Sequence, residues 1–180
     1  MNPAQHINQD SGKVEYYTPP EIIEAARATM DGIDFDPFSS DAANLTVKAE
    51  VYFTKHHGDL TFTEGWMLDR RHPWKKGIPS VWMNHPFSRT MNARCVQKLI
   101  HEFKKKHIRA ACCITFAATS EAWFRPLMDY PQCFLSPRTN YLDEHGNKVR
   151  GVTKGSVVTY LGYDLTRFQI AFEQLGKVKV

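Results

Sequence analysis

Residues 108–116 read Ile-Arg-Ala-Ala-Cys-Cys-Ile-Thr-Phe, a nearly unbroken run of apolar and small side chains. It lacks the polar alternation of a strand with one wet face, so it predicts a strand buried on both faces, as in a helix-covered parallel sheet. Just upstream, Val96, Leu99, Ile100 and Phe103 recur at helical spacing. Before them, residues 80–87 form a β-rich run, Val81-Trp82-Met83, that leads into Asn84-His85-Pro86-Phe87.

Farther towards the N-terminus, Thr18-Pro19-Pro20-Glu21 predicts a helix start, with Thr18 as cap, prolines in the first turn and Glu21 closing a capping box. Ile22, Ile23, Ala26 and Met30 give that helix its apolar face, and Gly32 ends it. Residues 33–38 form a short strand stopped by Pro37, and 47–53 read equally as a short helix or a strand. Downstream, Thr119-Ser120 caps a helix carrying Trp123, Phe124 and Leu127. Residues 132–135 are a strand and 156–162 the last one, before a C-terminal helix marked by Leu165, Phe168, Phe172 and Leu175. This alternation, with two strands adjacent near the end, predicts an α/β fold whose sheet is mostly parallel with a final antiparallel strand. One domain over 14–180 follows, with a flexible segment at 1–13. In such sheets ligands bind beyond the carboxyl ends of the strands. The positions to watch are Asp36-Pro37, Asn84 to Phe87, Phe116 to Thr119, and Arg138 to Tyr141.

The composition fits this reading. A chain of 180 residues, 42% hydrophobic and 23% charged, can bury a real core. No apolar run is long enough to span a bilayer and the polar N-terminus is no signal peptide, so no membrane partner and a cytoplasmic location are expected. The net charge of +4 is compatible with a nucleic-acid partner without requiring one. Cys95, Cys112, Cys113 and Cys133 have no zinc spacing, the histidines are scattered, and no metal is expected.

Asn84-His85-Pro86-Phe87 carries the chemistry. A hydrophobic strand ends in an amide, then a proline, then an aromatic ring, which resembles the [Asp/Asn/Ser]-Pro-Pro-[Tyr/Phe/Trp] motif of amino-group methyltransferases. A nucleobase amino nitrogen shares its lone pair with the ring and is a poor nucleophile. An amide oxygen and a nearby backbone carbonyl, each accepting one N–H, hold it towards tetrahedral geometry, and the aromatic ring stacks a flipped-out base. His85 stands where the motif has its first proline. That position offers its backbone carbonyl, which every residue has, so what is lost is the rigidity of proline. The plainer alternative is that Asn84 and Pro86 only end a strand.

The wider pattern resembles a known family. Tyr16-Tyr17-Thr18-Pro19-Pro20-Glu21, Asp34 to Ser40 with Asn44, Gly58-Asp59-Leu60, Trp82 to Phe87, and the strand from Gly155 to Gly162 occur in that order. From about Val14 onwards the chain is similar to the phage DNA N6-adenine methyltransferase (Dam) family. The resemblance implies a Rossmann-like class I fold, S-adenosylmethionine as cofactor, adenine N6 in double-stranded DNA as substrate, and a phage or prophage protein acting in a bacterial cytoplasm. It implies a cofactor pocket from Tyr17, Thr18, Pro19, Asp36 and Pro37, with Asp59 for the cofactor's adenine, and catalytic roles for Asn84, His85, Pro86 and Phe87. The chain has Phe38-Ser39-Ser40 where many methyltransferases have a glycine-rich loop, and no acid at the second strand for the ribose.

Between residues 138 and 156 a long connection carries Arg138, Tyr141, Lys148, Arg150 and Lys154, cations suited to phosphates and a ring suited to a flipped base. Arg89, just after the motif, is a further phosphate contact, or Ser88 simply caps a helix there. Residues 70–76 and Lys104 to Lys106 are basic, but the first reads as an exposed loop and the second as a complement to a helix dipole. A chain this short reads a loose site or grips the duplex as a homodimer. Cytosine-N4 methylation and a nucleic-acid-binding relative that has lost catalysis are the alternatives.

Overall fold

The structure is a computed structural model that describes residues 16–58, 60–63, 66, 77–143, 145–149 and 152–180. The segment 1–13, Asp59, the basic stretch 70–76, Arg150 and the Arg89 side chain lie outside the described residues. Among the described residues, five α-helices, α1 (Pro20–Met30), α2 (Asp41–Val47), α3 (Leu60–Thr63), α4 (Arg89–Lys104) and α5 (Leu165–Phe172), accompany seven strands. The strands are β1 (Phe35–Asp36), β2 (Val51–Tyr52), β3 (Ser80–Met83), β4 (Ala110–Phe116), β5 (Gln132–Leu135), β6 (Ser156–Leu161) and β7 (Gly176–Lys179).

They form one mixed sheet in the order β2-β1-β3-β4-β6-β5-β7. The apolar run at 108–116 supplies β4, whose residues are buried up to Thr115 because helices cover both faces. Alternation then sorts its side chains. Cys112 and Ile114 join Trp82, Val158 and Tyr160 beneath α1 and α5, while Ala111 and Cys113 join Val81, Met83 and Leu99 beneath α4. β1, β2, β3 and β4 are parallel neighbours. β6 runs antiparallel to β4 and β5, and β7 antiparallel to β5. β1 to β5 therefore share one direction and β6 and β7 oppose it. All four cysteines are buried and free, and burial raises the thiol pKa values of Cys95 and Cys133.

The expected α/β class holds, with differences at the ends. The sheet is parallel in its first half and antiparallel in its second, and β6 is not the last strand. β7 escapes sequence reading because Gly-Lys-Val-Lys is a short, charged edge whose Gly176 packs so tightly on β5 that a Cβ there would meet the Phe134 carbonyl oxygen. The helix expected at 119–127 is a set of turns and a 3₁₀ stretch, Arg125–Asp129, since Pro126 cannot sit in a helix interior. Residues 47–53 hold both candidates, the end of α2 and then β2. Thr18 does not cap α1: Pro19 occupies the cap position and no side chain caps the helix. Asp31, in the left-handed conformation, closes the other end with its N–H on the Arg27 carbonyl.

Opposite the site, at the amino ends of the strands, Asp34 ties three segments together. Its Oδ2 accepts from the Ser80 N–H at 2.7 Å, the Ser80 hydroxyl at 2.9 Å and Arg109 Nη2 at 3.2 Å. Asp34→Ala leaves a partly buried guanidinium and a buried N–H without their acceptor. It should lower the unfolding free energy in urea by about 3 kcal/mol, because breaking one partner of a buried pair strands the other.

Candidate active site at the carboxyl ends of the strands

From β1 the chain passes to β2 on one side, while β3 lies on the other. The carboxyl ends of β1 and β3 therefore flank a topological switch point, where open α/β sheets form their ligand crevice. Asp36-Pro37 sits at the first of these ends and Asn84 to Phe87 at the second.

Asn84 is half-buried and its amide is held from one side. Its Nδ2 donates to the Tyr16 carbonyl oxygen at 2.7 Å and to Thr18 Oγ1 at 3.2 Å. A carbonyl can only accept, so this contact fixes which end of the amide is nitrogen. Asn84 Oδ1 and the His85 carbonyl oxygen accept no hydrogen bond from a described residue. Thr18, expected to cap a helix, instead holds this amide.

The His85 ring is 2% exposed. Its Nε2 lies 2.9 Å from Asn92 Oδ1 on α4, and its buried Nδ1 has no partner among the described residues. Burial holds the imidazole neutral, pushing its pKa down to about 4, with Asn92 acting in the opposite sense. Pro86 is exposed, and its carbonyl accepts from the Ser88 N–H at 2.9 Å. Ser88 caps α4 by accepting from the Met91 N–H at 3.2 Å. This puts Arg89 at the start of that helix.

Phe87 is half-buried in an aromatic cluster, with ring centroids 4.5 Å from Phe116, 6.0 Å from Tyr16 and 6.1 Å from Tyr141. Tyr141, expected against a base, is wholly buried, and its hydroxyl lies 3.0 Å from Ser156 Oγ. It supports the Phe87 and Tyr16 rings from below.

Asp36 is 2% exposed, and burial raises its pKa to about 7 against the Phe38 N–H, which donates to its Oδ1 at 3.1 Å. That bond is the Asx turn open to any Asp before a proline, but no cation meets the carboxylate among the described residues. The Pro37 carbonyl accepts from Thr61 Oγ1 at 3.3 Å. Tyr17 pairs its backbone with Leu142 and sets its hydroxyl 3.2 Å from Ser40 Oγ. Pro19 and Pro20 have no N–H, so Glu21 is the first backbone donor of α1. Ser39, His85, Thr115 and Thr139, each near these strand ends, carry a buried side-chain atom without a partner. Native interiors keep such atoms rare, and here they gather where a polar ligand would satisfy them.

The connection between β5 and β6 (136–155) rises at the same end. Asp143 folds its tip, with Oδ1 accepting from the His145 N–H at 2.9 Å and the Asn147 N–H at 2.8 Å, and Gly146 takes the positive φ that this turn needs. Arg138, Lys148 and Lys154 are exposed on it, and Lys154 Nζ stands 5.7 Å over the Phe116 ring. Asn84, His85 and Phe87 thus meet Tyr17, Thr18 and Asp36 at one end of the sheet, with the three cations on its rim. Sequence reasoning gives Tyr16 no role of its own, because it acts through its backbone carbonyl, which has no sequence signature. Phe116, among the strand-end positions to watch, enters as a ring 4.5 Å from Phe87. Among the described residues no group of three or more His, Cys, Asp or Glu can hold a metal, and no helix is long and apolar enough to cross a membrane.

Comparison with known proteins finds no matching family model and no matching curated relative.

The buried carboxylate has a measurable consequence. Asp36 ionises near pH 4 in the unfolded chain and near 7 in the folded one, so the folded state holds its proton more tightly. Its favourable contribution is complete below pH 4 and is lost as pH rises to 7. In the unliganded protein Asp36→Asn should therefore raise stability at pH 8 by up to about 4 kcal/mol and barely change it at pH 4. Thermal unfolding across that range checks it.

Proposed function

We propose that this chain is an S-adenosylmethionine-dependent DNA methyltransferase of the Rossmann-like class I type, acting on the N6 amino group of adenine. One observation carries the reading: the Asn84 amide is held by its nitrogen and leaves its oxygen as an unused acceptor beside an aromatic ring. A residue that merely ended a strand would not need its amide nitrogen held by two acceptors.

The neighbouring residues fit the cofactor. Asp36, buried without a cation, would take an ammonium or hydroxyl donor, which its depressed acidity awaits. The Ser39 hydroxyl, beside Asp36, adds a polar group to that pocket, and the positive end of the α1 dipole, starting at Pro20, suits a carboxylate. When bound, S-adenosylmethionine supplies a methyl group on a sulfonium, an electrophile that needs no metal and no covalent enzyme intermediate.

The chain's own work is orientation. Asn84 Oδ1 and the His85 carbonyl each accept an N–H from the target amino group, which draws its lone pair out of conjugation and aims it. Phe87, braced by Phe116, Tyr16 and Tyr141, offers a stacking face to the extruded base. Alignment of this kind can supply most of the acceleration a displacement needs. Lys148, Lys154 and Arg138 suit duplex phosphates at the rim.

With labelled S-adenosylmethionine and adenine-containing duplex DNA, the wild type should transfer label that digestion recovers as N6-methyladenine. Recovery as N4-methylcytosine would redirect the substrate assignment while keeping the chemistry. Asn84→Ala should lower kcat about 100-fold or more, the scale for removing one preorganised polar contact, while cofactor affinity by calorimetry falls far less, through the loosened Tyr16–Thr18 segment alone. Lys148→Ala should leave kcat on saturating DNA alone. It should lower the slope of log K against log salt by about 0.9, as loss of one phosphate contact requires.

A further inference from the structure

We infer that His85 and Asn92 form a tether that positions the catalytic turn, replacing the rigidity that a proline would give at that place. The inference rests on the methyl-transfer reading above. His85 lies in the five-residue link between β3 and α4, and its ring reaches Asn92 in the first turn of that helix. Asn92 sits inside the helix, where its side chain gains nothing for helix formation and an asparagine is a poor choice. Its oxygen instead accepts at 2.9 Å from the imidazole, so Nε2 carries the proton and Nδ1 is bare. The Asn92 N–H bonds to the Ser88 carbonyl at 2.9 Å, so the helix turn that holds the tether is itself locked to the cap residue.

The ring packs edge-on between Phe38, which follows β1, and Phe87, at centroid distances of 6.3 and 5.6 Å. The tether thus spans both ends of the switch point and leaves the backbone carbonyl of residue 85 unencumbered. A side chain doing only packing would not keep a buried, unpartnered nitrogen when an apolar ring of similar size would fill the space. His85 touches the target base only through its carbonyl, and its imidazole acts through the turn.

A mutant cycle over His85→Pro and Asn92→Ala tests the tether, with kcat and cofactor dissociation constant measured separately. Asn92→Ala should lower kcat about tenfold, a modest loss for a misplaced reacting group, and leave cofactor binding unchanged. Asn92→Asp keeps an acceptor and should retain most of the activity, whereas Asn92→Leu keeps the bulk and should not. In the His85→Pro background, whatever activity that variant keeps, adding Asn92→Ala should cost nothing more, since coupling vanishes once its partner is gone. Equal losses from Asn92→Ala in both backgrounds, or full activity of Asn92→Leu, would overturn the tether. A wild type that transfers no methyl group to any DNA would sink the methyl-transfer reading instead. The imidazole ¹⁵N spectrum then judges the tether alone. A neutral Nε2–H ring that Asn92→Leu alters upholds it, and identical spectra overturn it.

Discussion

The bond from Asn84 Nδ2 to the Tyr16 carbonyl joins the segment that enters α1 to the end of β3, across 68 residues of sequence. Everything proposed for the site depends on it. Without that contact an asparagine at a strand end is free to rotate, and its oxygen is an acceptor in no particular direction. With it, and with Thr18 on the same nitrogen, the amide has one orientation. The contact also explains the pairing of Tyr17 with Leu142, which fixes the height of the entering segment and lays it against the connection that holds Tyr141 and Lys148. One amide therefore gathers three parts of the chain that are distant in sequence: the approach to α1, the end of β3 and the β5–β6 connection.

Much of the scaffold was legible because burial writes itself into periodicity. β4 shows as an unbroken apolar run, α4 as a stripe of Val96, Leu99, Ile100 and Phe103, and β5 as Gln132 to Leu135. Elements fixed by tertiary contact were not legible. β7 is charged and short, and only its partner β5 makes it a strand. The segment before Pro126 carries helix-like apolar residues, but one proline decides against the helix. The site divides the same way. Asn84 and Phe87 announce themselves by type and order, and Asp36 by its place before proline. The role of Thr18 was misread because a threonine before two prolines and a glutamate looks like a local cap. Its partner is 66 residues away. The burial of Tyr141 was equally hidden, since nothing in a polar connection tells a buried ring from an exposed one.

The contrast among the buried carboxylates says most about where function sits. Asp34 meets Ser80 and Arg109 at the amino ends of the strands. Glu102, almost fully buried on α4, meets Lys98 at 2.7 Å, His107 at 3.0 Å and the Trp66 N–H at 3.0 Å. Both are charges that the fold has compensated, and both lie away from the switch point. Asp36 is as deeply buried and meets only the Phe38 N–H and the neighbouring Ser39 hydroxyl, with no cation among the described residues. A chain selected for stability alone would have paired it as it paired the others, or replaced it.

The uncompensated groups are not spread through the molecule. Among the described residues, Ser39, the Nδ1 of His85 and the two threonines lie with Asp36 towards the carboxyl ends, and Arg109 Nε lies elsewhere. Desolvated polar groups concentrated at one end of a sheet suit a ligand that would supply their partners, as the proposed function requires. The pattern further specifies the ligand's character. A buried carboxylate asks for a donor or a cation, an amide oxygen and a carbonyl ask for N–H groups, and a braced aromatic ring asks for a flat one. A ligand pair that meets all three requests must bring an ammonium or hydroxyls on one side and an aromatic amine on the other. An S-adenosyl donor facing an adenine, the pair proposed above, has that composition.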